Sequence, residues 1–481
     1  MSQPSLRTID RTLEHREHPR LACLATHAGQ AGGAAIAMQR LVAALRESGG
    51  HVAVLSGDDV QPAPAARRRL ERRVRRAIKR ARTPVSNTMF TADWPARSLA
   101  GHPVVTAADV VNIHWVAGLL NTAGVREIVA AGRPVLWTLH DMRPFTGGCH
   151  YAGGCPGFTS GCHACPQLAD RLAALPARVA ARGRRSLAGI PLTFVSPSRW
   201  LAGEVARSAI FDSGCHTVRV IPNGLDLARF APGPRAVARR RLGLPDGAFA
   251  ILLGSVSLAE RRKAMAVAAA AVGRAAGEIH HRFGKATAGL QVITYGAGQL
   301  EIPGVSCRHL GSVGEDDVAA ALQASDLHLT MAQEDNLPNT VMEALACGCP
   351  VIATRAGGHP EMVTDGREGW LVDIDDAVGA AAALIRLIEQ PELQVAAAER
   401  ARRRAEAEWD ATVQARRYLD VAAELLAVSG SRAANPVPPP VALAALTPAA
   451  AAAVHAGSPL RGPLRHLRRL TRFQRLPLGT T

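Results

Sequence analysis

A chain of 481 residues with 48% hydrophobic and 20% charged residues is too long for one ordinary core and too apolar to be disordered, so two domains with appendages are expected. No apolar run approaches the roughly 18 residues of a membrane span, and the start, Met-Ser-Gln-Pro-Ser-Leu-Arg-Thr-Ile-Asp, lacks a secretory apolar stretch, which points to the cytoplasm and to nine reduced cysteines. The net charge of +16 invites anionic lipid or nucleic acid; its two densest runs, 67–82 and 461–475, carry no interleaved stacking aromatics, so nucleic acid is not expected as a partner.

Residues 1–19 read as a flexible polar start. Residues 21–26 form an apolar run, a glycine-rich turn follows to Gly33, and 34–48 carries Ile36, Leu41, Val42 and Leu45 on one helical face before the strand 51–55. This is a βαβ opening. The run 67–82 sets Leu70, Val74 and Ile78 at i, i+4 and i+8 among arginines, a basic amphipathic helix suited to an anionic membrane surface or to plain solvent. Strand-like runs at 110–113, 134–139, 192–196 and 218–221 alternate with helical stretches and complete a parallel-sheet domain, 20–221. It contains a cysteine-rich insert, 146–166. Four cysteines there, Cys149, Cys155, Cys162 and Cys165, have spacing that suits a structural zinc knuckle, with His150 or His163 as substitute ligands; unpaired reduced thiols or a disulfide are the other readings.

After the turn-rich link 222–226, strands near 248–256, 291–295, 326–331, 350–354 and 369–372 alternate with helices in a second domain, 222–428, which includes a closing helix. Residues 429–481 turn Pro- and Ala-rich and end in a basic tail, expected to be disordered. Within the second domain Asp335 and Glu343 lie eight positions apart across a loop that becomes a helix, with Pro338 placed to open it and Gly348 to close it. Free amides around 337–340 make an anion site suited to a diphosphate, and Glu343, one turn inside, can accept from two sugar hydroxyls.

The Asp335 to Gly348 run, followed by Gly357, Gly358 and Glu361, resembles the acid-x7-acid signature of family 4 retaining glycosyltransferases. Leu139-His140-Asp141-Met142, Ser196-Pro197-Ser198-Arg199-Trp200 and Ile221-Pro222-Asn223-Gly224 carry the likeness across about 20–425. Glu334 to Thr340, with the cysteines beyond His140, resembles the branch that builds bacterial exopolysaccharides of the colanic-acid kind.

The resemblance implies an α/β GT-B architecture: two doubly wound Rossmann-like domains facing across a cleft, the first on the acceptor side and the second binding a nucleotide-diphosphate sugar. It implies that Asp335 or Glu334 hydrogen-bonds the donor sugar, Glu343 holds the ribose, and Asn336, Leu337, Pro338, Asn339 and Thr340 form the diphosphate loop, in which every residue but Pro338 carries a backbone N–H. Lys263 and Arg262 would neutralise the phosphates, although Ser257 stands where the family has an arginine and Ala264 where glycine is common. His140 would lie against the donor sugar, or cap a strand end. Gly32 and Gly33 would border the acceptor, or make a tight turn; His114 and Trp115 also end a strand. Asp373 and Asp375, the sole Asp-x-Asp pair, read as loop or helix cap, so no metal or other cofactor is expected in catalysis. The expected activity is retaining transfer to a glycan acceptor, lipid-linked, by a peripheral protein at the inner membrane face. A nucleotide-sugar epimerase and a non-catalytic basic binding protein are the alternatives.

Overall fold

A computed structural model describes residues 18–27, 32–93, 97–245, 247–283 and 289–432. The first sheet contains β1 (Arg20–Ala25), β2 (His51–Ser56), β3 (Val110–Ile113), β4 (Val135–Thr138), β5 (Leu192–Ser196) and β6 (His216–Val220) in the order β2-β1-β3-β4-β5-β6. The second contains β7 (Ala250–Ser257), β8 (Gln291–Ala297), β9 (Ser306–His309), β10 (Leu327–Thr330), β11 (Val351–Thr354) and β12 (Gly369–Val372) in the order β12-β11-β10-β7-β8-β9. Every pairing is parallel. Helices cover both faces of such sheets, which is why central strands such as Leu-Thr-Phe-Val-Ser of β5 are buried at every position.

Each sheet reverses its winding once, between β1 and β3 and between β7 and β10. Crevices open beyond the strand ends at such switch points. In the second sheet the turn after β7 carries Arg262 and Lys263, and the loop after β10 carries residues 331–338.

Three features differ from the sequence expectation. The strand β9 was not expected: Ser-Cys-Arg-His is half polar because it lies at a sheet edge, paired on one side only. Pro338 precedes the helix Asn339–Ala346 as an extended residue instead of opening it, while Gly348 closes it with φ 67° and an N–H bonded to the Leu345 carbonyl. The closing helix Ala411–Arg432 packs on the first sheet, burying Tyr418, Leu419 and Ala422 against Leu21, Leu41, Val110 and Val195.

The basic helix forms at Ala65–Ala81. Its apolar side is spent internally, with Ile78 and Ala81 packed on Phe90, Ala92 and Leu168, and with Val74, Cys149 and Cys165 around them. The chain up to Val428 is one compact unit. The expected loose start to residue 17 and the Pro/Ala-rich stretch and basic tail from 433 lie outside the described residues.

Candidate active site

Where the two switch points face each other, a cavity of about 260 Å³ opens. Gly33, Ala34, Trp115, His140 and Tyr151 line it from the first domain, and Arg262, Lys263 and Asp335 to Thr340 from the second. Most sequence-derived candidates thus meet on one cavity, with Gly32 immediately beside it in sequence.

Asp335 is the hub. Lys263 Nζ donates to its Oδ2 at 2.6 Å, Arg262 Nη1 lies at 3.0 Å, and the Asn336 N–H reaches Oδ1 at 2.9 Å. Burial opposes the charged carboxylate, but Lys263 and Arg262 outweigh it and hold the group well below the usual range. Arg262 also stacks on Tyr151, 4.0 Å from the ring centroid, and pairs with Glu260 at 3.0 Å. Ala264 closes this turn at φ 48° and ψ 43°, the left-handed region that suits glycine and costs another residue roughly 1–2 kcal/mol. The turn thus forms here without glycine.

The acid loop rests on glycines and on the opposite domain. A Cβ on Gly357 would lie 1.9 Å from the Asp335 carbonyl oxygen, and one on Gly358 1.8 Å from that of Asn336. Ser198 Oγ donates to Asn336 Oδ1 at 2.7 Å, Asn336 Nδ2 donates to the Leu139 carbonyl at 3.3 Å, and Asn339 Nδ2 to the Gly33 carbonyl at 3.2 Å. Glu361 accepts from the Arg199 and Trp200 amides at 2.7 and 2.6 Å, binding the first turn of the helix Arg199–Arg207 to the second domain. These contacts give the Ser198-Arg199-Trp200 and Gly357-Gly358 motifs a positional role.

Glu334 and Glu343 stand apart from the cavity lining. Glu334 accepts from the Gly153 N–H at 2.7 Å and so ties the acid loop to the cysteine-rich insert. Glu343 is buried, and Arg40 Nη2 contacts its Oε1 at 2.7 Å. Burial raises the Glu343 carboxyl above its ordinary value, against the pull of Arg40.

His140 does more than end a strand. Its Nε2 lies 3.0 Å from His114 Nδ1, and His114 Nε2 lies 3.0 Å from Asn112 Nδ2, while Thr138 Oγ1 donates to Asn112 Oδ1 at 2.8 Å. An amide donating to His114 Nε2 leaves the His114 proton on Nδ1, donated to His140 Nε2, and the His140 proton on Nδ1. Burial lowers His140 to about 4, so it is a neutral ring at pH 7. Its neighbour Asp141 is committed to structure, accepting from His150 Nδ1 at 2.6 Å, Trp115 Nε1 at 2.8 Å and the Arg143 N–H at 2.9 Å.

Burial also takes His328 and His359 to about 4. Between about pH 6.5 and 4 the unfolded chain binds protons that these folded histidines refuse, so their contribution is complete above 6.5 and is lost as pH falls. Each of the three should cost on the order of 2 kcal/mol at pH 5. Urea midpoints measured at pH 7 and pH 5 should fall accordingly, and equal midpoints would refute neutral burial.

The four insert cysteines line one small void with Phe90 and Phe158, and none forms a disulfide. Burial pushes the Cys149 thiol up to about 12 and the Cys162 thiol to about 11. Among the described residues no three His, Cys, Asp or Glu side chains stand where they could hold a metal ion. Of the Asp-x-Asp pair, Asp375 accepts from Gln333 at 2.8 Å and Asp373 is largely exposed, while adjacent Asp376 caps the helix Ala377–Glu389.

Residues 31–229 match the family model described as Glycosyltransferase Family 4, and residues 297–404 match Glycosyl transferases group 1. Sucrose-phosphate synthase from Thermosynechococcus elongatus superposes over 85% of this chain and all of its own, with TM-score 0.58 and 18% identity. The lipopolysaccharide glycosyltransferase WaaG covers 83% of this chain and 99% of its own, with TM-score 0.55 and 16% identity.

The fold is GT-B.

HepE of Anabaena, solved with UDP and glucose, shares the GT-B fold over 84% of this chain and all of its own, with TM-score 0.54 and 16% identity. Among curated proteins, D-inositol 3-phosphate glycosyltransferase of Saccharomonospora viridis is 31% identical over 45% of this chain and 52% of its own length. N-acetyl-alpha-D-glucosaminyl L-malate synthase of Bacillus anthracis is 40% identical over 18% of this chain and 23% of its own. The chain thus spans about half, or less, of the curated relatives it matches.

Sequence reasoning missed Tyr151, Arg40 and the Asn112–His114 relay. Tyr151 sits in a stretch that drew attention only for its cysteines. Arg40 lies on a helix valued only for its apolar face.

Proposed function

We propose that this GT-B protein is a retaining glycosyltransferase that moves a sugar from a nucleotide diphosphate to a glycan acceptor without a catalytic metal. The arrangement of Arg262 and Lys263 on Asp335, beside the amides that open the helix Asn339–Ala346, carries this reading. Two cations and oriented amides suit a departing diphosphate, whose charge they stabilise as it forms. Retention is supported by what the cavity carboxylates already do: Asp335 is ion-paired, Asp141 accepts three hydrogen bonds and Glu260 pairs with Arg262. None is left free as the general base that an inverting displacement needs or as the nucleophile of a double displacement, which favours attack from the leaving-group side, the phosphate oxygen taking the acceptor proton.

A nucleotide-sugar donor is also supported by the UDP and UDP-glucose complexes of HepE. For the acceptor we propose a lipid-linked glycan of bacterial surface or exopolysaccharide synthesis, at the cytoplasmic face of the inner membrane. No helix among the described residues is long and apolar enough to cross a membrane. The basic helix keeps its apolar side inward and exposes Arg68, Arg69, Arg72, Arg73, Arg75 and Arg76, so its membrane contact would be electrostatic, worth about 1 kcal/mol per basic residue near the surface. Vesicles with anionic lipid should sediment the protein at low salt and release it at high salt; neutral vesicles doing so equally would refute the proposal.

Thermal shift with UDP-, GDP- and ADP-sugars tests the central claim. One donor should stabilise the protein by about 2.7 kcal/mol at a hundredfold excess over its Kd, and Glu343→Ala should abolish the shift. A product of inverted anomeric configuration would exclude retention. Donor conversion without acceptor would mean an epimerase, and salt-sensitive nucleic-acid binding without donor binding a basic binding protein.

A further inference from the structure

Arg40 belongs to the first domain, on the helix Gly33–Glu47 that follows the acceptor-side glycines. Its side chain is only 8% exposed and is buried against the second domain. There Nη2 contacts Glu343 Oε1 at 2.7 Å, Nε donates to Glu315 Oε1 at 2.8 Å, and the guanidinium lies 5.1 Å from the Phe230 ring centroid. Arg229 also contacts Glu315 and pairs with Asp316 at 3.0 Å. The remaining nitrogen, Arg40 Nη1, is buried without a hydrogen-bond partner.

A buried guanidinium nitrogen with two unused N–H bonds is costly and uncommon in native proteins. Here it stands beside Glu343, the acid that the family resemblance assigns to the nucleotide ribose. We propose that Arg40 is a donor-binding residue supplied by the acceptor-side domain, its Nη1 donating to a ribose oxygen of the nucleotide whose hydroxyls Glu343 accepts. This inference rests on the nucleotide-sugar reading of the Glu343 site. Polyol recognition by a carboxylate acceptor and a guanidinium donor together is chemically complementary: the acid takes the hydroxyl proton and the arginine feeds the oxygen lone pair. Since the two groups come from different domains, an occupied nucleotide site also holds the cleft together.

The test takes whichever of UDP, GDP or ADP the wild-type protein binds, together with its 2′-deoxy and 3′-deoxy forms. Arg40→Met should weaken binding of the parent nucleotide at least tenfold, and Arg40→Lys should recover only part of the loss. The decisive readout is coupling: removal of one ribose hydroxyl should weaken wild type strongly but Arg40→Met little, a non-additivity that a purely structural bridge would not produce. Glu315→Gln, which leaves Nη1 unchanged, should bind within about threefold of wild type and serves as a control on domain packing. Should the folded Arg40→Lys protein bind the parent nucleotide as tightly as wild type, or should hydroxyl removal cost both proteins equally, the assignment is overturned and Arg40 is a static interdomain bridge. Absence of nucleotide binding by wild type would instead remove the function on which the inference rests.

Discussion

Lys263→Met is expected to lower turnover by two to three orders of magnitude while leaving acceptor affinity within a fewfold of wild type. The lysine's charge is useful only where negative charge builds up, on the departing diphosphate, so its loss should fall on the transition state. It has a second role, because Lys263 Nζ is the nearer of the two cations on Asp335, a residue 6% exposed. Leaving that carboxylate to Arg262 alone should cost on the order of 2 kcal/mol of stability, less than the full cost of breaking a buried pair. The stability role is isolated in the double variant Lys263→Met/Asp335→Asn, in which the unpaired charge is gone, with Asp335→Asn alone as the reference for turnover. Its melting temperature should recover and its turnover should not. Turnover recovering with stability would show that the lysine matters only to folding.

Gly357→Ala should be severely damaging for a single added methyl group. The position has φ 55°, and the added Cβ would meet three backbone atoms of Asp335, the oxygen at 1.9 Å and the nitrogen at 2.8 Å. Backbone cannot rotate aside as a side-chain tip can, so the acid loop must move or the protein must unfold. A loss on the order of 3 kcal/mol or more is expected, with donor binding abolished even where the fold persists at low temperature. Gly203, within the helix Arg199–Arg207 and with nothing within 4 Å of its would-be Cβ, is the control. Gly203→Ala should stabilise by about 0.5–1 kcal/mol. Chemical denaturation with nucleotide titration on both variants separates loop damage from a general intolerance of alanine.

The sheets were legible in the sequence because parallel strands buried on both faces announce themselves as apolar runs, and β3, β5 and β12 fall on the expected residues. The strand β9 was not, because its largely exposed Ser-Cys-Arg-His carries no apolar run. The cavity floor was legible for a different reason: Lys263, Asp335 and the 336–340 run are local motifs whose chemistry needs no knowledge of the other domain. Tyr151, Arg40, His114 and Glu361 act by meeting partners between 26 and 303 positions away, and no local spacing encodes such meetings. The basic amphipathic run shows a related limit. Periodicity reveals an apolar stripe, but only the packing of Ile78 on Phe90 and Leu168 shows that the protein itself covers it.

The closing helix places a constraint on biosynthesis. Leu21, Leu41 and Val110 belong to the earliest third of the chain, and the side chains that cover them, Ala415, Tyr418 and Leu419, are nearly four hundred residues later in the case of Leu21. As the protein leaves the ribosome, at about 5–20 residues per second, one apolar face of the first sheet waits tens of seconds for its cover. The first domain to be made is therefore the last to be finished, and a chain cut short before residue 411 would present that face to every other nascent protein nearby.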